Sequence, residues 1–225
     1  MYTLPKMSHS LYYTLPYDSP LWSIKTGDLL LFSGRYPGSV WISHATRSSF
    51  SHVGMIIQDC ENDGYFIFEA INGGVGVTLR PLFKILSLYD GMYRIRKLKE
   101  PLSTEQESRL IDFVRANVGK PFSHNLWEFG RLGTRLALSY LLPPKYQGPV
   151  MDKLIRRHKD SLHSNQYICS ELIATAFEAL GYKFENGYPD MFIPNDFESN
   201  SEWSIFRENC YGYGLYEKEQ EIEHL

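Results

Sequence analysis

Two runs of β-branched and aromatic residues, Val53 to Gln58 and Tyr65 to Ile71, are separated only by Asp59-Cys60-Glu61-Asn62-Asp63-Gly64. Side chains of the first kind fit a pleated surface, and Asn, Asp and Gly supply tight turns, so the stretch reads as an antiparallel hairpin. Further strand signals surround it. Gly27-Asp28 opens Leu29 to Phe32, an apolar run too short for a helix and ended by Gly34. Gly73-Gly74 leads into Val75 to Leu79, and Met92 to Leu98 supplies another strand. Pro37 to Arg47 reads as a short helix. Ser103 followed by Gln106 is a capping box opening a helix to about Val118, and Leu126 to Tyr140 and Val150 to Lys159 read as two more. In the strongest helix, Tyr167 to Leu180, positions 168, 172, 173, 176, 177 and 180 make one apolar stripe, and Gly181 sits at C′. Strands first, with helices around and after them, make an α+β fold.

No low-complexity stretch divides the chain. Its 225 residues suit one domain, about 21–216, with an extended arm over 1–20 and a charged tail over 217–225 that reads as a frayed helix or coil. A net charge of −3 argues against non-specific nucleic-acid binding, which needs a basic excess over phosphate. The apolar run Leu136 to Leu142 is far short of the ~20 residues of a spanning helix. Met1 to Pro20 lacks the continuous apolar core of a secretory signal, so a cytoplasmic setting with reduced thiols is expected. Cys60, Cys169 and Cys210 are an odd number at wide spacing, forming neither a disulfide framework nor a CxxC metal site. His44, His52 and Cys60 also lack zinc-ligand spacing, so no metal or other cofactor is expected. At least one thiol must stay free.

Cys169 lies in the first turn of the strongest helix, after Ser164 and Asn165, either of which could cap it. Unsatisfied N–H groups and the helix dipole there favour an anion, lower a thiol's pKa and can hold an oxyanion. Position alone leaves two readings open: an activated nucleophile, or a small buried hydrophobe. A nucleophilic thiol needs a base, and the base needs a group to orient it. His52 begins a strand. A four-residue loop at 59–62 sets Gln58 opposite Asp63 and His52 opposite Glu69, on one face. The pair would serve equally as a base with its orienting acid or as an ion pair on an exposed strand.

With these pieces placed, the sequence resembles the circularly permuted papain-like hydrolases of the NlpC-like superfamily, specifically the YaeF/YiiX-type permuted amidases. The resemblance is carried by Gly27-Asp28-Leu29-Leu30, Ser51-His52-Val53-Gly54, Phe68-Glu69-Ala70, Gly74-Val75 and Gly119-Lys120-Pro121-Phe122. Tyr167-Ile168-Cys169-Ser170-Glu171-Leu172 and Pro194-Asn195-Asp196-Phe197 complete it. It implies an antiparallel sheet or small barrel packed by helices, with the histidine strand placed before the cysteine helix. It also implies a thiol protease or amidase with Cys169 as nucleophile, His52 as general base and acid, and Glu69 orienting the imidazole. Tyr167, Ser170 and Ser51 are then candidates for the oxyanion or supporting contacts. Acyltransferase relatives carry Asn-Cys-Glu-His at the nucleophile; Ile168 and Ser170 flank Cys169 here, which argues against that branch.

Residues 129–166 are long for a connection and read as a helical insertion. Arg131, Arg135, Lys145, Lys153, Arg156, Arg157 and Lys159 face only Asp152 and Asp160. Arg131, Arg135 and Leu138 are candidate contacts to substrate or lipid, including the surface of an anionic membrane; an ordinary amphipathic lid is the other reading. The expected substrate is a peptide, isopeptide or lipid-derived amide, or an ester. The rival functions are a thiol-dependent lipid acyltransferase or phospholipase, and a non-catalytic lipid-binding module.

Overall fold

The computed structural model describes residues 23–35, 43, 49–59, 64–98, 100–123, 141, 165–182, 189, 192–198 and 220–222. Six strands form one antiparallel sheet: β1 Leu29–Gly34, β2 His52–Asp59, β3 Gly64–Ile71, β4 Gly76–Pro81, β5 Gly91–Arg96 and β6 Gln220–Ile222. Their order across the sheet is β4-β3-β2-β1-β5-β6. Among the described residues three helices can be traced end to end: α1 Leu82–Leu88, α2 Thr104–Asn117 and α3 Cys169–Ala179. The fold is α+β. The arm over 1–20, most of the Pro37–Arg47 helix and most of the 129–166 insertion lie outside the described residues, as do the side chains of Cys60 and Cys210.

The unbroken apolar run of β1 follows from burial on both faces. Leu29 and Leu31 enter one core with Val53, Met55, Phe68 and Ala70, against Leu172, Ile173, Ala176 and Phe177 of α3 and Leu110 and Val114 of α2. Leu30 and Phe32 enter a second core with Ile56, Ile67, Tyr93 and Ile95, closed by Leu82 and Leu86 of α1. Each such side chain contributes roughly 1.5–3 kcal/mol relative to exposure, so the central strands are firmly held from both faces. At the start of β1, the buried Asp28 carboxylate accepts the N–H groups of Lys25 and Leu98, each at 2.9 Å. Burial raises its pKa to about 6 against the pull of those two bonds.

The capping box is present, with Ser103 as N-cap accepting from the Gln106 N–H and the Gln106 side chain reaching back. Gly181 follows α3 at φ 92°, as its C′ position requires. Two elements depart from expectation. α1 was not anticipated: it is one short amphipathic turn pair whose Leu82 and Leu86 alone are buried. Within the charge-rich C-terminal stretch, Gln220–Ile222 pair with Ile95, Arg94 and Tyr93 as a strand, because β5 offers an open edge whose N–H and C=O groups need partners.

Candidate active site

The hairpin register decides which side chains meet. The loop spans residues 60–63, so Asp59 pairs with Gly64 and Met55 with Phe68. This is two residues away from the expected pairing, and it sets Gly54, not His52, opposite Glu69. A shift of two keeps every side chain on its face, so His52 and Glu69 become diagonal neighbours on the expected face. Gly54 leaves the gap through which they touch: His52 Nε2 lies 2.7 Å from Glu69 Oε2. A Cβ at Gly54 would stand 2.6 Å from the Ile67 side chain and 3.3 Å from Glu69 Cβ. Gly54→Ala is therefore expected to destabilise the fold by about 1–3 kcal/mol and to prise the pair apart. Thermal melts, together with the loss of the His52 imidazole's downfield N–H proton resonance, would check this.

Glu69 is the lone acid among the buried side chains of β3, and its own side chain is only 2% exposed. Its second oxygen, Oε1, accepts from Arg80 Nε at 3.0 Å and Arg80 Nη2 at 2.7 Å. Arg80 lies just past the strand expected from sequence, which ends at Leu79. β4 runs to Pro81, and its pairing of Thr78 with Glu69 places Arg80 on the diagonal. Burial alone would raise the Glu69 pKa, but His52 and Arg80 outweigh it and hold the carboxyl below its ordinary range. On the other side of the imidazole, the Phe32 ring packs at 5.6 Å, backed in turn by Tyr89 at 4.9 Å.

Cys169 is the first residue of α3. Asn165 does not cap this helix, and Ser164 lies outside the described residues. Ile168 is the N-cap, and Glu171 reaches back to its N–H at a long 3.5 Å. The thiol is free and half-buried. The β2–β3 ladder stops at Met55–Phe68. Beyond it the Val53 N–H donates to the Cys169 sulfur, as does the N–H of Ser170. The His52 ring also hydrogen-bonds the sulfur. With Nε2 facing Glu69, the nitrogen left for the thiol is Nδ1. Burial pushes the Cys169 pKa up, yet the imidazolium and the two N–H donors prevail and hold it below its ordinary 9.0. Burial likewise lowers His52, but the thiolate and the Glu69 carboxylate raise it to about 10. The two groups therefore favour a thiolate–imidazolium pair.

The structure thus brings Cys169, His52 and Glu69 into one line. Ser170 and Ser51 are engaged elsewhere through their hydroxyls. Ser170 Oγ donates to the Phe192 carbonyl at 2.6 Å, and Ser51 Oγ to the Phe32 carbonyl at 3.4 Å. Tyr167 bridges Phe122 through its main chain, and Lys120 Nζ lies 5.4 Å from its ring centroid. The Pro194–Phe197 segment forms a 3-10 turn whose Asp196 carboxylate accepts the Ile193 N–H at 3.0 Å. Phe192 and Phe197 pack into the α3 core, so this turn braces the helix that carries Cys169. Arg131, Arg135 and Leu138 lie outside the described residues.

An antiparallel sheet whose histidine strand precedes a cysteine helix is the papain-like fold in permuted form. A crystal structure from Escherichia coli O157:H7, titled metalloprotein yiiX, shares it: TM-score 0.51 at 20% identity, covering 90% of this chain and 98% of that one. Residues 23–131, just under half of the chain, match the family described as permuted papain-like amidase enzyme, YaeF/YiiX, C92. The family is one of amidases and peptidases of the cysteine hydrolase class. The uncharacterized protein YiiX of E. coli K12 is 32% identical over 102 residues, 45% of this chain. This chain spans about half the length of that curated relative, 48%. The family match includes His52, Glu69 and Arg80 and ends before Cys169. Among the described residues, no helix is long and apolar enough to cross a membrane.

Proposed function

We propose that this chain is a cysteine hydrolase that cleaves an amide bond through an acyl-thioester on Cys169. One observation carries the reading: the hydrogen-bonded line from Glu69 through His52 to Cys169, at the start of a helix. The thiolate attacks the carbonyl carbon, and the first-turn N–H groups of α3 are the donors at hand for the oxyanion. Imidazolium His52 then gives its proton to the leaving amine as the C–N bond breaks. In the second half, His52 takes a proton from water, hydroxide attacks the thioester, and the acid departs as the thiolate is restored. Glu69 holds the ring so that Nδ1 faces sulfur throughout.

The relative's title calls that protein a metalloprotein. The described residues do not fit a bound metal. Among the described residues no three His, Cys, Asp or Glu side chains converge as a ligand set. The carboxylate beside His52 already faces the Arg80 guanidinium, which takes up the negative charge that an ion would otherwise use.

The test uses two probes. Iodoacetamide at pH 6, followed by peptide mass spectrometry, is expected to label Cys169 ahead of Cys60 and Cys210. 4-Nitrophenyl acetate is expected to leave an acyl group on Cys169 that water removes, with Cys169→Ala as the blank. Equal labelling of all three cysteines would sink the reading. Transfer of the acyl group to an added amine or alcohol in preference to water would instead mark an acyltransferase.

A further inference from the structure

We propose that Arg80 is a positioning residue of this reaction, acting on sulfur chemistry through Glu69 and His52 rather than touching substrate. The inference rests on the hydrolase reading above and extends the catalytic line by one residue.

The geometry is specific. A guanidinium facing a carboxylate commonly takes both oxygens with two parallel N–H bonds. Arg80 instead directs Nε and Nη2 at the same atom, Glu69 Oε1, at 3.0 and 2.7 Å. Oε2 is thereby left to His52 alone, at 2.7 Å. A glutamate has three side-chain torsions, and a buried one with a single partner would be free to rotate its carboxylate away from the imidazole. Fixing Oε1 from β4 fixes where Oε2 points. Arg80 also supplies the charge that a buried carboxylate needs in order to stay ionised. Its own side chain is 36% exposed, so it is anchored by this contact more than by packing. Orientation and charge are separable contributions. Lysine keeps the charge and loses the two-pronged hold, while glutamine loses both.

The experiment measures the rate constant for acylation of Cys169 by 4-nitrophenyl acetate from pH 4 to 9, in wild type, Arg80→Lys and Arg80→Gln. Arg80→Gln is expected to be slower on the order of 10²-fold at pH 7, the scale of a misplaced reacting group. The acidic limb of its profile should move up, because burial then raises the Glu69 pKa with only His52 acting against it. Arg80→Lys should keep the wild-type limb and recover part of the rate. In a Glu69→Gln background, removing Arg80 should cause no further loss of rate, since both act on one line. This double variant also keeps the test open if Arg80→Gln alone does not fold.

Three results would overturn the proposal: a wild-type profile in folded Arg80→Gln, a loss equal at every pH that lysine does not relieve, or fully additive effects with Glu69→Gln. Failure of the wild type to label at Cys169 ahead of the other two cysteines would instead bring down the hydrolase reading beneath it. The two failures are therefore distinguishable.

Discussion

His52→Gln is expected to slow acylation of Cys169 by 4-nitrophenyl acetate about 10²- to 10⁴-fold at pH 7, the range that a positioned general base supplies. The loss has two parts. Glutamine offers no group that takes the thiol proton, and it removes the cation that stabilises the thiolate. Burial is the largest influence on Cys169, and it opposes ionisation; the imidazolium is the main force against it. The N–H groups of Val53 and Ser170 remain in the variant, but they are neutral dipoles and supply less than a charge. The pH midpoint for iodoacetamide labelling should therefore rise from below the ordinary 9.0 to that value or above it. Stability has its own sign. The folded-state pKa of His52 is raised from 6.5 to about 10, so its contribution is full below 6.5 and is lost as pH climbs through about 10. Melts at pH 6 and pH 10.5 should show wild type losing its advantage over His52→Gln between them. An unchanged labelling midpoint would refute the role given to His52.

How far the site could be read from sequence follows from what each residue depends on. Strand identity and face are local properties. The aromatic and β-branched runs, and the lone glutamate among Phe66, Phe68 and Ala70, were enough to set His52 and Glu69 on one face. Register was not local. The loop stretch is turn chemistry from Asp59 to Gly64, so nothing in it favours a loop over 59–62 above one over 60–63, and the pairing came out two residues off. The error did no harm to the face, but it hid why Gly54 is a glycine. Arg80 was hidden differently: an arginine at a strand end carries no periodic signal, and its meaning depends on a partner eleven residues away on the next strand. Ser51 and Ser170 stand beside His52 and Cys169 in the chain, but their hydroxyls turn to main-chain carbonyls. A hydroxyl near a nucleophile satisfies the nearest buried carbonyl first, and Phe32 and Phe192 supply those. β6 was illegible because its pairing is set by the open edge of β5 and not by its own charged sequence.

Glu69→Gln tests the line at its centre, and the direction of the effect follows from the hydrogen bonds on either side. Arg80 aims two donors at the Oε1 position, so the amide oxygen of glutamine must take that place. The NH2 group then faces His52 Nε2, where a carboxylate oxygen had stood at 2.7 Å. Two donors cannot face one another without loss, so Nε2 must become an acceptor and the ring's proton must move to Nδ1. Nδ1 is the nitrogen turned toward Cys169. A protonated Nδ1 in a neutral ring cannot accept the thiol proton, and the base is disabled while its position is kept. In a serine hydrolase the equivalent change, which locks the wrong tautomer, lowers kcat about 10⁴-fold. A thiol ionises more readily than a hydroxyl, so a loss of about 10²- to 10⁴-fold in acylation at pH 7 is expected here. Partial recovery should appear above pH 9, where the thiol ionises without a base. The acid side distinguishes tautomer from folding. The Glu69 pKa is depressed in the fold, so its contribution to stability is present above about 4.5 and is lost as pH falls through the folded value. Wild type should therefore lose melting temperature in acid more steeply than Glu69→Gln, even though the variant is the slower enzyme at pH 7. A variant that acylated at the wild-type rate at pH 7 would show that Glu69 does not set the tautomer of His52.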